Sequence, residues 1–226
     1  MQRLRITFSR GEEIKYISHL DLMRYWERVV VRASIPVAYS EGFNPRPRIA
    51  LAAPLPVGVT SECELMDIFL LDNFSPQVFH ESVTSQLTTG LQLSKVEEVP
   101  LDSPSLQTQI CSIEYRVIVE TSLSPEEINQ AIETLLRAEH LPWQQMRNTI
   151  LAKYDLRPLI ENVWLLRRED TCCVFGMWLR VTPRGTGRPE QVALALGFMV
   201  HPCLIHRVRL VLADNEIEVK PGEEYA

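Results

Sequence analysis

Two stretches of this chain carry the same order of local signals, and that repetition limits the folds open to it. In the first stretch, Leu4 to Phe8 alternates with Arg3, Arg5 and Thr7, the period of a half-buried strand. Ser18 stands three residues before Asp21, a capping box that opens a helix from His19 to about Ala33. A strand around Val37 to Ser40 leads through Gly42-Phe-Asn-Pro-Arg-Pro47 into two strand-like runs, Arg48 to Ala53 and Cys63 to Leu71. Ser75-Pro76 sets an N-cap before a proline at the first helical position, which opens a helix to about Leu87. Gly90 stops it, and Leu91 to Val99 closes the pattern as a strand.

The pattern then restarts. Pro100 to Gln109 is polar and reads as a linker. Ile113, Tyr115, Val117 and Val119 alternate as a strand, and Ser124-Pro125-Glu126-Glu127 repeats the cap signals. Behind them Ile128, Ala131, Ile132, Leu135 and Leu136 fall on one helical face. Strand-like runs follow near Pro158 to Leu166 and Cys172 to Thr182, then a short helix from Pro189 to Leu196 and a strand from Ile205 to Leu212. Strand, helix, two strands, helix, strand is the βαββαβ order. The expected class is therefore α+β, with two ferredoxin-like βαββαβ halves built on antiparallel sheets. Residues 1–100 form one domain, residues 108–213 the second, and 214–226 an acidic flexible tail.

Composition matters here mainly through charge. The formal net charge is −6, but its signs are segregated along the chain. Residues 1–48 balance at +4 and 147–209 at +5, whereas 49–100 and 101–146 balance at −6 and −5. An acidic average argues against strong nonspecific DNA binding, while two basic blocks suit a local anion-binding surface or simply solvated faces. Apolar runs such as Ile49 to Leu55 fall far short of the roughly 18 residues a membrane span needs. Met1 to Phe8 has no signal-like apolar region, and five cysteines are an odd number for a disulfide framework. A cytoplasmic protein with reduced thiols and no membrane contact is the expectation. No CxxC, three-cysteine cluster motif, HExxH or P-loop is present, so no cofactor or metal is expected on this chain.

The candidate functional residues lie in the basic blocks. On the first helix Leu20, Leu22, Met23, Trp26, Val29, Val30 and Ala33 are expected to cover the sheet. Asp21, Arg24, Tyr25, Arg28 and Arg32 then form the opposite stripe. Like charges at Arg24, Arg28 and Arg32 repel by a few tenths of a kcal/mol, a cost that suits a face meeting phosphate, although a solvated helix has the same pattern. Tyr39 to Arg48 is the more specific signal. Its two prolines restrict Asn44 and Arg46 to extended backbone and stiffen a loop presenting Phe43, Asn44, Arg46 and Arg48. An aromatic ring beside guanidiniums suits single-stranded nucleic acid, where bases stack and phosphates pair with arginine; a plain connecting hairpin is the competing reading. Lys15 and Arg188 are added to this RNA-binding set. Arg184 and Arg188 flank a Gly-Thr-Gly turn suited to a phosphate, and Arg157, Arg207 and Arg209 extend the basic surface. His19 is the one weak catalytic candidate, as a general acid or base.

The chain also resembles the radical-SAM-linked proteins, a bacterial family carrying a domain of unknown function. The resemblance rests on Tyr16-Ile-Ser-His-Leu-Asp-Leu-Met-Arg24, Val37-Ala-Tyr-Ser-Glu-Gly-Phe-Asn-Pro-Arg-Pro47 and Pro54-Leu-Pro-Val-Gly58, with Asp155-Leu-Arg-Pro158 and Gly185-Thr-Gly-Arg-Pro189 further on. Gly187 stands where the family commonly has alanine. The resemblance implies an accessory RNA-binding or substrate-presenting module for a radical SAM enzyme, acting on tRNA, rRNA or a ribosomal component. That partner would carry the iron–sulfur cluster and S-adenosylmethionine, and the resemblance supplies no catalytic residues for this chain. Two alternatives are a metal-independent endoribonuclease, with His19 as base and Lys15 or Arg24 stabilising the phosphate, and a pure protein–protein adaptor.

Overall fold

A computed structural model describes residues 1–147, 150–183 and 185–213. The expected tail, 214–226, lies outside the described residues. The chain divides into two compact units, Met1–Ile110 and Cys111–Ala226, both mixed α+β with antiparallel strand pairing.

In the first unit, strands β1 (Gln2–Arg10), β2 (Ile49–Leu51), β3 (Thr60–Leu70) and β4 (Leu91–Val99) form a sheet in the order β2-β3-β1-β4. Helices α1 (His19–Arg32) and α2 (Pro76–Thr84) connect it. The two-residue period of β1 decides its faces. Leu4, Ile6 and Phe8 are fully buried in one core with Leu22, Trp26, Val29 and Val30 of α1 and Phe79 and Val83 of α2. The Phe8 and Trp26 rings meet edge to face at 4.9 Å. Ser18 caps α1 by accepting from the Asp21 amide. Two expectations for α1 fail. Leu20 is 65% exposed, while Tyr25 turns inward, its hydroxyl donating to the Gln86 carbonyl at 3.2 Å and accepting from the Thr88 amide at 2.7 Å. Burial against the α2–β4 connection captures an aromatic ring that the charged stripe had assigned to solvent.

The opposite face of β1 is polar and dry. Arg3 and Arg5 are buried, and both reach Asp67 on β3, which is 1% exposed. Their contacts with its carboxylate run from 2.6 to 3.2 Å. The stretch read as a linker covers this face. It contains a short helix, α3 (Leu106–Gln109), with Leu106 buried, and the Ser103 and Pro104 carbonyls accept from Arg3 at 2.7 and 2.9 Å. Unpaired guanidinium hydrogens inside a sheet face demand such acceptors. The expected strand at Val37 to Ser40 is reduced to isolated bridges, Val37 to Leu70 and Tyr39 to Pro47. β2 is shorter than the run Arg48 to Ala53 because Pro47 and Pro54 bracket it without amide donors.

In the second unit, β5 (Ile110–Glu120), β8 (Ile160–Glu169), β9 (Cys172–Thr182) and β11 (Leu204–Leu212) take the order β8-β9-β5-β11, and β10 (Gly185–Thr186) folds back on the end of β9. Helix α4 (Pro125–Arg137) begins with a complete capping box: Ser124 Oγ accepts from the Glu127 amide at 3.2 Å, and Glu127 accepts from the Ser124 amide at 2.8 Å. Ile128, Ile132 and Leu135 are buried. Helix α5 (Pro189–Ala195) is a turn shorter than a typical surface helix. A hairpin of β6 (Pro142–Arg147) and β7 (Ile150–Asp155) was not expected. Glutamines at 144 and 145 break its apolar alternation, which hid it.

Asp67 is expected to be the least replaceable buried polar residue of the first unit. Asp67→Ala leaves two buried guanidiniums without their anion and should cost about 3–5 kcal/mol. Urea denaturation checks this; a loss below about 1 kcal/mol removes the assigned role.

Candidate nucleic-acid interface

The Tyr39 to Arg48 segment is built as a stiff loop, exposed throughout except at the half-buried Pro47. At its neck the Ser40 amide donates to the Arg46 carbonyl at 2.8 Å, and the Arg46 amide donates back to Ser40 Oγ at 3.0 Å. Below it the Arg48 amide donates to the Ala38 carbonyl at 2.8 Å, and Ala38 donates to Phe69 of β3 at 2.7 Å. Pro45 and Pro47 remove two backbone torsions and two donors. Gly42 supplies a φ of +125°, a value L side chains rarely adopt. The tip therefore carries Phe43, 106% exposed, with Asn44 and Arg46 exposed beside it. A ring that makes no packing contribution, held on a costly backbone, is available to a ligand.

Arg48 stands at the base of the same loop. Its guanidinium lies 4.3 Å from the Phe69 ring centroid and 3.4 Å from Met1 Sδ, contacts that orient it without neutralising it. Among the described residues neither Arg46 nor Arg48 has a carboxylate partner. On α1, Arg28 is exposed and likewise unpaired among the described residues, while Arg24 makes an exposed pair with Asp21 at 3.2 Å. An exposed pair of this kind is worth little and yields readily to a phosphate.

Lys15 and His19 lie elsewhere. The loop leaves the sheet at the start of β1, where Val37 and Gln2 both face Leu70. Lys15 follows the far end of β1, where Arg10 donates to its carbonyl at 2.9 Å. The length of β1 separates them by about 25 Å. Lys15 is also engaged: its ammonium pairs with Glu12 at 2.6 Å and lies 5.3 Å from the Tyr16 ring centroid. The Glu12 carboxylate holds it above the usual lysine range. His19 is half-buried at the start of α1, and no hydrogen bond among the described residues orients its ring, as a general base would need. Arg188 belongs to the second unit, exposed at the N-cap of α5, and Arg184 lies outside the described residues.

Three arginines read as basic surface are not. Arg207 is 1% exposed. Arg209 pairs with the buried Glu114 at 2.5 and 3.0 Å. Arg157 is folded under, donating to the Ile160 carbonyl at 2.6 Å and to the Leu136 carbonyl at the end of α4 at 2.8 Å. The Asp155-Leu-Arg-Pro motif is thus a clasp. Asp155 complements Arg157 by accepting from the Leu141 and Arg157 amides at 2.8 and 3.0 Å and from His140 at 2.7 Å. Gly187 rests on the same turn, since a Cβ there would meet the Leu159 carbonyl oxygen at 2.6 Å.

Among the described residues no group of three His, Cys, Asp or Glu side chains is placed to hold a metal, and no helix is long and apolar enough to cross a membrane. The backbone is similar to a chain in a Cbf5–Nop10–Gar1 complex, with a TM-score of 0.50 at 10% identity over 92% of this chain. It is also similar to one in an H/ACA RNP bound to a substrate RNA containing 2'-deoxyuridine (TM-score 0.48, 10% identity, 92% of this chain and 47% of that one) and to one in an archaeal box H/ACA sRNP Nop10–Cbf5 complex (TM-score 0.47, 9% identity, 92% and 47%). The chain spans about half of each of these, 48% of the first, and at such identities the likeness is one of fold alone. No curated protein matches in sequence. Residues 3–189 match the model of a family described as an uncharacterized protein conserved in bacteria (DUF2344), and the chain belongs to that family.

The clasp gives a pH signature. Hydrogen bonds from His140, then from the Leu141 and Arg157 amides, hold the Asp155 carboxyl below its ordinary value of 3.8. Stability from a depressed carboxylate is complete above the unfolded value and is lost as pH falls through the folded one. Asp155→Asn should therefore lower the thermal midpoint at neutral pH, with the gap to the unaltered chain closing below about pH 4. A gap that stays constant through the acid range removes the clasp's electrostatic role.

Proposed function

We propose that this chain is a noncatalytic RNA-binding, substrate-presenting module, that its two units are copies of the ferredoxin-like βαββαβ plan, and that it serves a radical SAM enzyme. The observation that carries the RNA reading is Phe43: an aromatic ring wholly in solvent on a loop with a hydrogen-bonded neck, beside two arginines that have no carboxylate partner among the described residues. Bases offer a π-face to such a ring irrespective of sequence, and phosphates pair with the guanidiniums. Phe43 stacks, Asn44 donates or accepts at a base edge, and Arg46 and Arg48 hold the backbone. Arg24 and Arg28 supply the longer-range field. Lys15 lies outside this cluster, Arg188 belongs to the second unit, and both are expected to contribute weakly.

The strand orders β2-β3-β1-β4 and β8-β9-β5-β11 support the duplicated plan, because each sets the first strand between the third and fourth with the second outermost. The radical SAM partnership rests on the motif resemblance, the cluster and S-adenosylmethionine belonging to that partner. The endoribonuclease alternative gains nothing from the geometry around His19.

Fluorescence anisotropy with single-stranded tRNA and rRNA fragments tests the RNA reading. Phe43→Ala should weaken binding by about 1–3 kcal/mol. Arg46→Glu with Arg48→Glu should flatten the salt dependence by roughly two phosphate contacts. Affinity and salt slope unchanged in both variants would sink the proposal. Co-purification with a co-expressed radical SAM enzyme, surviving nuclease treatment, tests the partnership separately.

A further inference from the structure

The second unit holds a cavity of about 580 Å³ lined by Tyr154, Asp155, Pro158, Leu159, Thr182 and Pro183. Its volume is that of a small-molecule site, and its walls are mostly apolar, as such sites require. The Tyr154 ring is fixed at its far end, where the hydroxyl donates to Gln191 Oε1 at 2.8 Å, and Gln191 in turn donates to Gln145 at 2.8 Å. Two prolines and the buried Leu159 complete rigid walls against which a flat ring can lie. One wall carries an anion. A carboxylate has about four acceptor positions, and among the described residues Asp155 uses three: the Leu141 amide, the Arg157 amide and His140. One position remains for a ligand donor. Gly187 passes so close to Leu159, in the wall, that a Cβ there would meet the Leu159 carbonyl oxygen at 2.6 Å, and exposed Arg188 follows directly.

We propose that this cavity is a pocket for a nucleobase bearing an exocyclic amino group, cytosine, adenine or guanine but not uracil, with Arg188 meeting the attached phosphate. The amino group donates to the remaining acceptor position of Asp155, the pairing a carboxylate makes with cytosine N4. Tyr154 and the prolines flank the ring faces. Uracil is disfavoured because its O4 sets an acceptor against the carboxylate. The pocket belongs to the second unit and draws on no residue of the Phe43 loop of the first.

Isothermal titration of the full chain with CMP, AMP and UMP tests the pocket. CMP and AMP should bind about tenfold more tightly than UMP. Arg188→Ala should weaken CMP about tenfold and leave cytidine unchanged. Asp155→Asn should reverse the order of CMP and UMP, because an amide NH₂ donates to O4; a folding defect weakens both alike and cannot produce that reversal. Phe43→Ala should leave CMP binding intact, so loss of the loop and loss of the pocket are distinguishable. Competition by a short oligocytidylate assigns the pocket to RNA, and failure to compete assigns it to free nucleotide. Absence of binding by all three nucleotides at millimolar concentration, equal affinities, or an unreversed order in Asp155→Asn overturns the proposal.

Discussion

Arg3 and Arg5 meeting Asp67 beneath the sheet of the first unit is the interaction on which that unit's architecture turns. β1 is the central strand, and its alternation commits every second residue to the face away from the helices. Placing two guanidiniums there, nearly out of water, is costly unless their hydrogens are fully accepted. Asp67 takes the charge, and the carbonyls of Ser103 and Pro104 take part of the rest. The pairing with β3, in which Arg5 lies opposite Asp67, is thereby tied to one register: a slip by one residue would drive Leu4, Ile6 and Phe8 to the wrong face and strand the carboxylate. The net energy of such a network is modest, but its penalty against alternatives is large.

That arrangement also explains which parts of the fold were legible. Caps and periods are local, so α1, α2, α4 and the alternating strands could be read from Ser18, Ser75 and Ser124 and from the apolar spacing behind them. The polar segment after Pro100 could not, because its reason for being ordered sits 100 residues and more upstream in Arg3. The β6–β7 hairpin escaped for a different reason: Gln144 and Gln145 interrupt the alternation of β6, and none of the hairpin's described residues is buried.

Charge was the poorest guide to the site. In the basic blocks, Arg5 and Arg209 look no different from Arg46 and Arg48, yet the first two are consumed by Asp67 and Glu114, 62 and 95 residues away in sequence. A block balance counts every cation, whereas a ligand meets only those left over after folding. Here folding removes Arg3, Arg5, Arg157, Arg207 and Arg209 and leaves Arg28, Arg46 and Arg48 exposed. What was legible at the loop was local: proline spacing and a glycine before Phe43 predict a stiff turn, and the structure closes its neck with the Ser40 and Arg46 hydrogen bonds.

Rigidity is also what would make the loop effective as a binding element on the proposed reading. Immobilising a flexible side chain and its backbone on binding costs about 0.5–1.5 kcal/mol for each rotamer-rich group, comparable to the stacking of one base. In the Phe43 loop much of that cost is met during folding, by Pro45, Pro47 and the paired Ser40 and Arg46 amides. Arg48 is similarly oriented over Phe69 before any phosphate arrives. Exposing a phenylalanine in this way sacrifices the burial energy it would have brought to the core, roughly 2 kcal/mol. A loop with no ligand gains nothing in return for that loss, so on the proposed reading the exposed ring and the stiff backbone are two halves of one device.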